Sequence, residues 1–366
     1  MSDSAFKNFI NASVVAKIGA AFKTADPKFD QKRFTLISKN LEPLELKERV
    51  LMITGELRLM LPTDFKKASV ILEKVLRLKA LKGFELWPIS EYISRSGLEH
   101  FDESMELMYL LTQDFTSEFA VRSWLLKDPV RVLEHLMSLV EDQNVHVRRW
   151  ISEGSRPILP WGGKIPSLIK TPGTLQLLEK LKFDEELYVR KSVANHLNDI
   201  SKNHPELVVE TLKSWVSEAP EVQLPKINWI KRHALRTLIK KGHPGALGLM
   251  GVSSKTDVRV SGFKLHQKIV KVGEKLTFEL TIESSAPKPQ VLIIDYLISF
   301  LKSNGSSSHK VFKLKGLELP KKGSVKVVKS HSLKKITTMV FYPGKHELLI
   351  QVNGKIVARA GWVLKL

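Results

Sequence analysis

Four stretches of the chain begin alike: EFAVRSWLL from Glu118, HVRRWISEG from His146, YVRKSVANHL from Tyr188 and IKRHALRTLIK from Ile230. Arg148, Arg190 and Arg232 follow one another at intervals of 42 residues, and Arg122 precedes the series by 26. A period of about 40 residues in helix-compatible sequence is the mark of a HEAT-like solenoid, because a single helical pair cannot bury its apolar face and must stack on its neighbours. The repeat therefore predicts one long helical wall.

Residues three and four apart on a helix share a face, so the apolar positions declare which side is buried. In the stretch from Tyr188, Val189, Val193 and Leu197 point to the core, and Lys191, Asn195 and Asp199 run along the other side. The stretch from His146 has the same register, with Val147, Trp150 and Ile151 turned inward and Arg149 and Glu153 on the polar stripe. The stretch from Ile230 adds His233, Thr237 and Lys241. Stacking aligns these into a band of Arg, Lys, Asn, His and Thr suited to phosphate and sugar contacts. Glu153 and Asp199 are out of place there, since a carboxylate facing a polyanion is repelled. Two readings stay open. The acids steady basic neighbours, as an Arg149–Glu153 i,i+4 pair would at about 0.2–0.5 kcal/mol, or they stabilise a cation or orient a water at a bound nucleotide.

Charge narrows the partner. With 58 Lys+Arg against 38 Asp+Glu, the net of +20 and pI near 9.8 favour a polyanion. Residues 251–366 hold 21 Lys+Arg and 7 acids, a net of +14 that leaves +6 for the rest. Nearly all of these cations are Lys, with only Arg259 and Arg359 otherwise, which suits point-charge neutralisation of phosphates better than bidentate reading of base edges. Salt-sensitive, sequence-independent binding is the expectation.

Residues 1 to about 250 read as helices, with prolines at expected helix starts and connections. One connection stands out: SRPILPWGGKIPSL, a Pro- and Gly-rich segment predicted to hold Trp161 beside the polar band. Trp161 either packs an inter-repeat gap or offers an aromatic face to a cationic or unstacked base. After GHPGALGLMG (242–251) the periodicity turns to alternation. DVRVSGFKLHQKIV, KLTFELTIES, VLIIDYLISFLK, HKVFKLKGLEL, SVKVVKSHSL, ITTMVFYPG, HELLIQVNG and KIVARAGWVLKL predict seven or eight short strands of an immunoglobulin-like sandwich. The chain is thus expected to be multidomain, an all-α HEAT-like repeat solenoid over 1–251 followed by a basic all-β sandwich over 252–366.

The chain has no cysteine, which excludes disulfides, thiolate metal sites and cysteine nucleophiles and suits a reducing cytoplasm. The start, MSDSAFKNFINASVVAKIGAAF, carries Lys17 within its apolar portion and reads as an amphipathic helix, not as a signal peptide. No uncharged apolar run is long enough to span a bilayer. There is no GxxxxGK[ST], GxSxG or HExxH, and GxxGxxG at Gly245, Gly248 and Gly251 lacks the preceding strand of a dinucleotide site. His196 and His233 read as hydrogen-bonding or phosphate-contacting groups, not metal ligands. Neither a cofactor nor an obligate protein partner is called for, and a monomer is expected.

FTSEFAVRSWL, VRRWISEGSRPILPWG, YVRKSVANHLNDISKNHPEL and WIKRHALRTLIKKGHPGAL resemble the HEAT-repeat DNA alkylation-repair glycosylases of the AlkC and AlkD group. With DPKFD (26–30) and LELKERV (44–50), the resemblance covers residues 1–251, and the strand-rich tail is similar to the immunoglobulin-like appendage of AlkC-type members. Ile158 stands where the family often has a basic residue, which puts a phosphate contact there in question. The resemblance implies hydrolysis of the N-glycosidic bond of cationic alkylated bases such as 3-methyladenine and 3-methylcytosine in double-stranded DNA, with the base either flipped or left stacked. Glu153 and Asp199 would then stabilise the oxocarbenium and orient water, and Trp161 would add cation–π attraction of about 0.5–2 kcal/mol. Glu118 is a third candidate, or simply an acidic helix cap. Candidate DNA contacts are Arg122, Arg148, Arg149, Arg156, Arg190, Lys191, Asn195, His233, Arg236, Thr237, Lys240 and Lys241. A repeat scaffold that binds nucleic acid or an acidic protein without catalysis is the alternative.

Overall fold

The computed structural model describes residues 4–336 and 339–366, in two compact units. The first comprises Met1–Asn203 with Ala219–His233, the second His204–Glu218 with Ala234–Leu366. The alternating pattern starts where helices give way to strands. Division by packing falls earlier, because Pro205–Glu218 packs on Pro244–Leu249.

In the first unit, helices form where apolar spacing and a cap coincide. Phe65–Arg77 is opened by Asp64, whose carboxylate accepts from Lys66 N, and it buries Phe65, Ala68, Leu72, Val75 and Leu76. Val145–Gly154 is opened by Asn144, which accepts from His146 N, and it buries Val147, Trp150 and Ile151 completely. Of the amino-terminal helix, Met1 to Asp3 lie outside the described residues. From Ser4 it is two helices, Ser4–Lys7 and Ala12–Ala25, parted at Asn11, which caps the second.

Helices stack on helices further along the chain, giving two layers. Leu46–Met60 packs on Trp87–Ser96, a Ser94–Ser123 hydrogen bond of 2.8 Å ties the latter to Arg122–Lys127, and Val145–Gly154 packs on Leu187–Ile200. Ala12–Ala25, Phe65–Arg77 and Phe101–Thr112 form the other layer.

Two of the periodic arginines, Arg148 and Arg190, bond to the turns before their own helices. Arg148 donates to the carbonyls of Asp142 and Gln143 at 2.8 and 3.1 Å and to both oxygens of Asp184. Arg190, one period on, donates to the carbonyls of Asp184 and Glu185. Both guanidinium groups close the turn that opens their own helix. The residue one period after Asp184 is Lys226, not an acid, and Arg190 Nε is buried with no hydrogen-bond partner. Arg148 is thus corrected from a phosphate contact to a turn staple, all three of its nitrogens being engaged, and Arg190 likewise spends Nη1 on its own turn while its Nε is buried.

In the second unit a five-stranded sheet, ordered β4-β10-β9-β6-β7, faces a three-stranded one, β3-β5-β8. The strands are β3 (Val258–Leu265), β4 (Ile269–Lys271), β5 (Lys275–Ser284), β6 (Gln290–Leu301), β7 (Ser307–Leu319), β8 (Ser324–Ser332), β9 (Gly344–Val352) and β10 (Lys355–Lys365). The first two strands of the chain, β1 (Ile158–Leu159) and β2 (Gly163–Lys164), form a separate hairpin in the first unit. Alternation sends Leu276, Phe278, Leu280 and Ile282 of β5 into one core with Ile294, Tyr296 and Ile298 of β6. The single strand expected over DVRVSGFKLHQKIV is two, because the chain leaves the smaller sheet after Leu265 and β4 joins β10 in the larger one, in parallel. ITTMVFYPG supplies no regular strand among the described residues, only the bridge Ile336–Met339; Thr337 and Thr338 lie outside them.

A tight contact ties the helical part of this unit to its strands. A Cβ built on Gly354, in the β9–β10 turn at φ +81°, would lie 2.0 Å from Gly242 Cα. Asn353 Nδ2 donates to Ser253 O at 2.9 Å and Gln351 Nε2 to Lys240 O at 2.8 Å.

Candidate active site

Three acids of the first unit gather on the layer of helices that includes Val145–Gly154. Glu118 lies in the turn before Arg122–Lys127, and Glu153 and Asp199 lie in the last turns of Val145–Gly154 and Leu187–Ile200. A helix C-terminus carries partial negative charge and disfavours a carboxylate by about 0.3–1 kcal/mol. Glu153 is nevertheless only 7% exposed and Asp199 3%. Buried acids in that position must be compensated by donors, and here they are.

Arg156 bridges the two, donating from Nη1 to Glu153 Oε1 at 2.6 Å and from Nε to Asp199 Oδ2 at 2.7 Å. Burial pulls the Arg156 pKa down, but the Asp199 hydrogen bond and the Glu153 charge outweigh it and leave it raised. Asp199 Oδ1 accepts from Lys202 at 2.8 Å, and Glu153 Oε2 accepts from the Ser192 hydroxyl at 2.6 Å. Arg149 pairs with Glu118, approaches Glu153 at 3.7 Å, and lies 5.1 Å over the Tyr188 ring. The i,i+4 pair expected from spacing is therefore secondary: Arg149 belongs chiefly to Glu118, and Glu153 to Arg156.

The Pro- and Gly-rich connection folds into the β1–β2 hairpin, pairing Ile158 with Lys164 and Leu159 with Gly163. Trp161 sits in its turn at φ +63°, a left-handed conformation costly for a side chain of this size, and is 80% exposed. Arg122 holds the hairpin. Its Nε donates to Gly162 O, Nη2 to Gly163 O, and Nη1 to the carbonyls of Gly154 and Arg156, at 2.8–3.1 Å. Burial, with Arg156 nearby, lowers its pKa to about 10. A residue expected to reach phosphate is thus only 4% exposed with its donors turned to backbone, so that expectation is corrected. Trp161 faces a cavity, and the inter-repeat packing alternative does not describe it.

The cavity, of about 340 Å³, is walled by Phe84, Trp87, Phe115, Phe119, Leu159, Pro160 and Trp161, with Thr116, Glu118 and Glu153 as its polar lining. Trp87 and Phe119 stack at 5.9 Å. Trp87, Phe119 and Trp161 also wall an adjoining cavity of about 560 Å³ that reaches Phe6, Leu46 and Glu91. Asp199 is not among the lining residues of either. It is joined to the lining residue Glu153 by the Arg156 that both share.

The remaining predicted contacts scatter. Lys191 is exposed, Asn195 half-buried, and Arg156 buried between the acids. His233 is exposed and stacks on Trp229 at 3.7 Å. The helical stripe drawn through His233, Thr237 and Lys241 is interrupted, because one helix ends at Ala234 and the next begins at Arg236. Arg236, Thr237, Lys240 and Lys241 belong to the second unit. His196 is wholly buried, its Nδ1 2.9 Å from Ser152 O and its Nε2 2.9 Å from Thr174 Oγ1. Burial drives its pKa to about 3, so it is neutral and hydrogen-bonding, and phosphate contact is excluded by its position. Ser192 and Lys202 were not singled out from sequence. Ser192 and Asp199, seven residues apart, share a helix face, and Lys202 follows Asp199 by three. Among the described residues no three His, Asp or Glu side chains converge as a metal site requires; each acid is turned to a cation instead. Among them, no helix is long and apolar enough to cross a membrane.

Helical repeats holding cation-paired carboxylates against an aromatic cavity, in a chain that also carries an immunoglobulin-like sandwich, define the class: a two-unit repeat protein with a built polar site on its helical unit. Residues 259–366 match the family described as "Uncharacterised protein YhaZ, C-terminal Ig-like domain". The chain is 38% identical over 354 residues to "Uncharacterized protein YhaZ" of Bacillus subtilis (strain 168), covering 96% of each. It superposes on the alkylpurine DNA glycosylase AlkC of Pseudomonas fluorescens, bound to DNA containing an abasic site analog, with a TM-score of 0.89 and 34% identity over 99% of both chains. The chain belongs to the AlkC-like family that includes YhaZ.

Proposed function

We propose that this protein is a DNA glycosylase that hydrolyses the N-glycosidic bond of cationic alkylated bases, 3-methyladenine and 3-methylcytosine among them, in double-stranded DNA. The observation that carries the reading is the cavity in which Glu118 and Glu153 meet the aromatic walls of Trp87, Phe119 and Trp161, in a chain that matches AlkC along its whole length.

An alkylated base already bears positive charge, so when the bond to the sugar breaks its electron pair neutralises the departing ring and no strong general acid is needed. The sugar is left with oxocarbenium character, which a fixed anion stabilises. Glu153 suits this task. Each of its oxygens accepts one hydrogen bond from protein, from Arg156 and Ser192, and a carboxylate has about four lone-pair positions, which leaves one on each oxygen for water. That water adds to the sugar carbon and its proton passes to the carboxylate. Asp199, behind the cavity, keeps Arg156 in line; Glu118 does the same for Arg149. Trp161 attracts the cationic base through its ring face. Lysines of residues 252–366 and the exposed Lys191, His233, Arg236, Lys240 and Lys241 add affinity that falls with salt. Such an enzyme works at the nucleoid, in the cytoplasm.

The test is release of free base from methylated duplex DNA, read by mass spectrometry, together with affinity for DNA containing an abasic analogue. Glu153→Gln is expected to bind with unchanged affinity and to release base at least about 100-fold more slowly, the scale seen when one transition-state electrostatic partner is removed; Asp199→Asn should be slower than wild type. Wild-type rates in both variants would remove the carboxylate assignment. No release by the wild type would leave a repeat protein that only holds DNA.

A further inference from the structure

Behind Glu153 lies a buried group of hydroxyls and an imidazole, of which the reaction as described counts only the Ser192 bond and gives it no task. It joins Thr174, His196, Ser152 and Ser192, all buried. Its direction follows from what each atom can do. Ser152 O can only accept, so His196 carries its proton on Nδ1 and donates there across 2.9 Å. Nε2 is then an acceptor and takes the proton of the Thr174 hydroxyl at 2.9 Å.

Ser192 has one proton and two oxygen neighbours, Glu153 Oε2 at 2.6 Å and Ser152 Oγ at 3.0 Å. The contact to the anion is shorter and charge-assisted, so it takes the proton, and Ser152 donates its own into the Ser192 oxygen. The Ser152–Ser192 hydroxyl pair therefore ends on a carboxylate oxygen, while His196 and Thr174 reach Ser152 only at its backbone carbonyl. Ser192 is the group's only member hydrogen-bonded to a side chain that lines the cavity. Of the other members, His196 and Ser152 tie Leu187–Ile200 to Val145–Gly154, and Thr174, just before Leu175–Leu181, bonds to His196; neither contact reaches the cavity.

Glu153 has to be fixed in rotation as well as in place. Arg156 grips Oε1 from one side, and a carboxylate held by a single oxygen still pivots about that contact. With Oε2 also held, its plane is set and the free lone pair on each oxygen keeps one direction. A buried hydroxyl in place of a methyl costs desolvation unless its bond returns it, and the bond it makes is this one.

We propose that Ser192 is a positioning residue for Glu153, fixing the carboxylate plane so that the attacking water is aimed at the sugar. This rests on the reading of Glu153 as the water-orienting acid. Base release should be measured in single turnover with the full-length protein in excess over methylated duplex, alongside binding to DNA with an abasic analogue and thermal unfolding. Ser192→Ala should release base about tenfold more slowly, a factor worth about 1.4 kcal/mol, while the dissociation constant changes less than about twofold. Ser192→Cys keeps the volume with a poor donor and should be as slow, which guards against a cavity effect. Ser192→Thr restores the hydroxyl and should recover most of the rate. A purely structural serine would lower the unfolding temperature and leave the rate of the folded protein untouched; wild-type rate in Ser192→Ala overturns the proposal. If Glu153→Gln releases base normally, the underlying reading fails and the proposal falls with it. If Glu153→Gln is inactive and Ser192→Ala is not slowed, the proposal alone fails.

Discussion

Arg122 separates the two things an arginine in this family of helices can do. If it served phosphate, Arg122→Lys would keep the charge and change little in the free protein. The structure instead commits its three nitrogens to four backbone carbonyls, from Gly154, Arg156, Gly162 and Gly163. A lysine ammonium is a single point on a flexible stem and cannot reach carbonyls on both sides of a planar fork. Two of the four bonds survive at best. At about 1.5–3 kcal/mol for each hydrogen bond to a charged group, and discounting for non-additivity, losing two costs about 3 kcal/mol. The loss is local, so hydrogen exchange is the direct assay. The amides of Gly162 and Ile165, which bond to Leu159 O and Pro157 O within the hairpin, should exchange about 100-fold faster in Arg122→Lys, since 1.4 kcal/mol corresponds to a factor of ten. Base release should fall with them, because Trp161 sits on the released turn, while the slope of log affinity against log salt stays as in the wild type. Unchanged exchange at those amides together with a shallower salt slope would refute the structural reading and return Arg122 to the phosphates.

Trp161 and His196 carry two more expectations. Trp161→Asn keeps a residue that tolerates the left-handed backbone and removes a ring that is 80% exposed; stability should stay within about 1 kcal/mol, while excision falls about tenfold, within the range of one cation–π contact. An equally active variant would remove the ring from the mechanism. His196 titrates near 6.5 when unfolded and about 3 when folded, because burial opposes its charge. Between those values the unfolded chain binds the extra proton, so the stability due to neutral burial is complete above about pH 6.5 and is lost as pH falls toward 3, at up to about 1.4 kcal/mol per pH unit. Unfolding free energies of wild type and His196→Asn, measured across that window, should diverge with that slope; parallel curves would contradict a neutral buried imidazole.

Much of this molecule is legible in its residues, because periodicity is a local property. The 42-residue spacing of Arg148, Arg190 and Arg232 and the inward sets Val147, Trp150, Ile151 and Val189, Val193, Leu197 define the repeat and its buried face. The change to alternation after Gly251 marks the strands. Glu153 and Asp199 stand out in the sequence for a physical reason as well: acids in a basic stripe that would face a polyanion violate an electrostatic preference. What each charge touches is another matter. Arg122 bonds to carbonyls 32 to 41 residues away, and no pattern in its own helix distinguishes a guanidinium that staples backbone from one that awaits phosphate. The same ambiguity covers Arg148 and Arg190, since the spacing that made them conspicuous is the spacing of the turns they close. Ser192 has no signature at all; it is one hydroxyl among small helix residues until the fold brings Glu153 within 2.6 Å. Sequence by itself determined which elements form and which face of each is apolar, because those follow from neighbours three or four residues apart. Only tertiary structure decided that Glu153 lines the cavity and Asp199 stands behind it, because that depends on how far one stacked helix reaches past the next, a distance set by packing across the whole repeat.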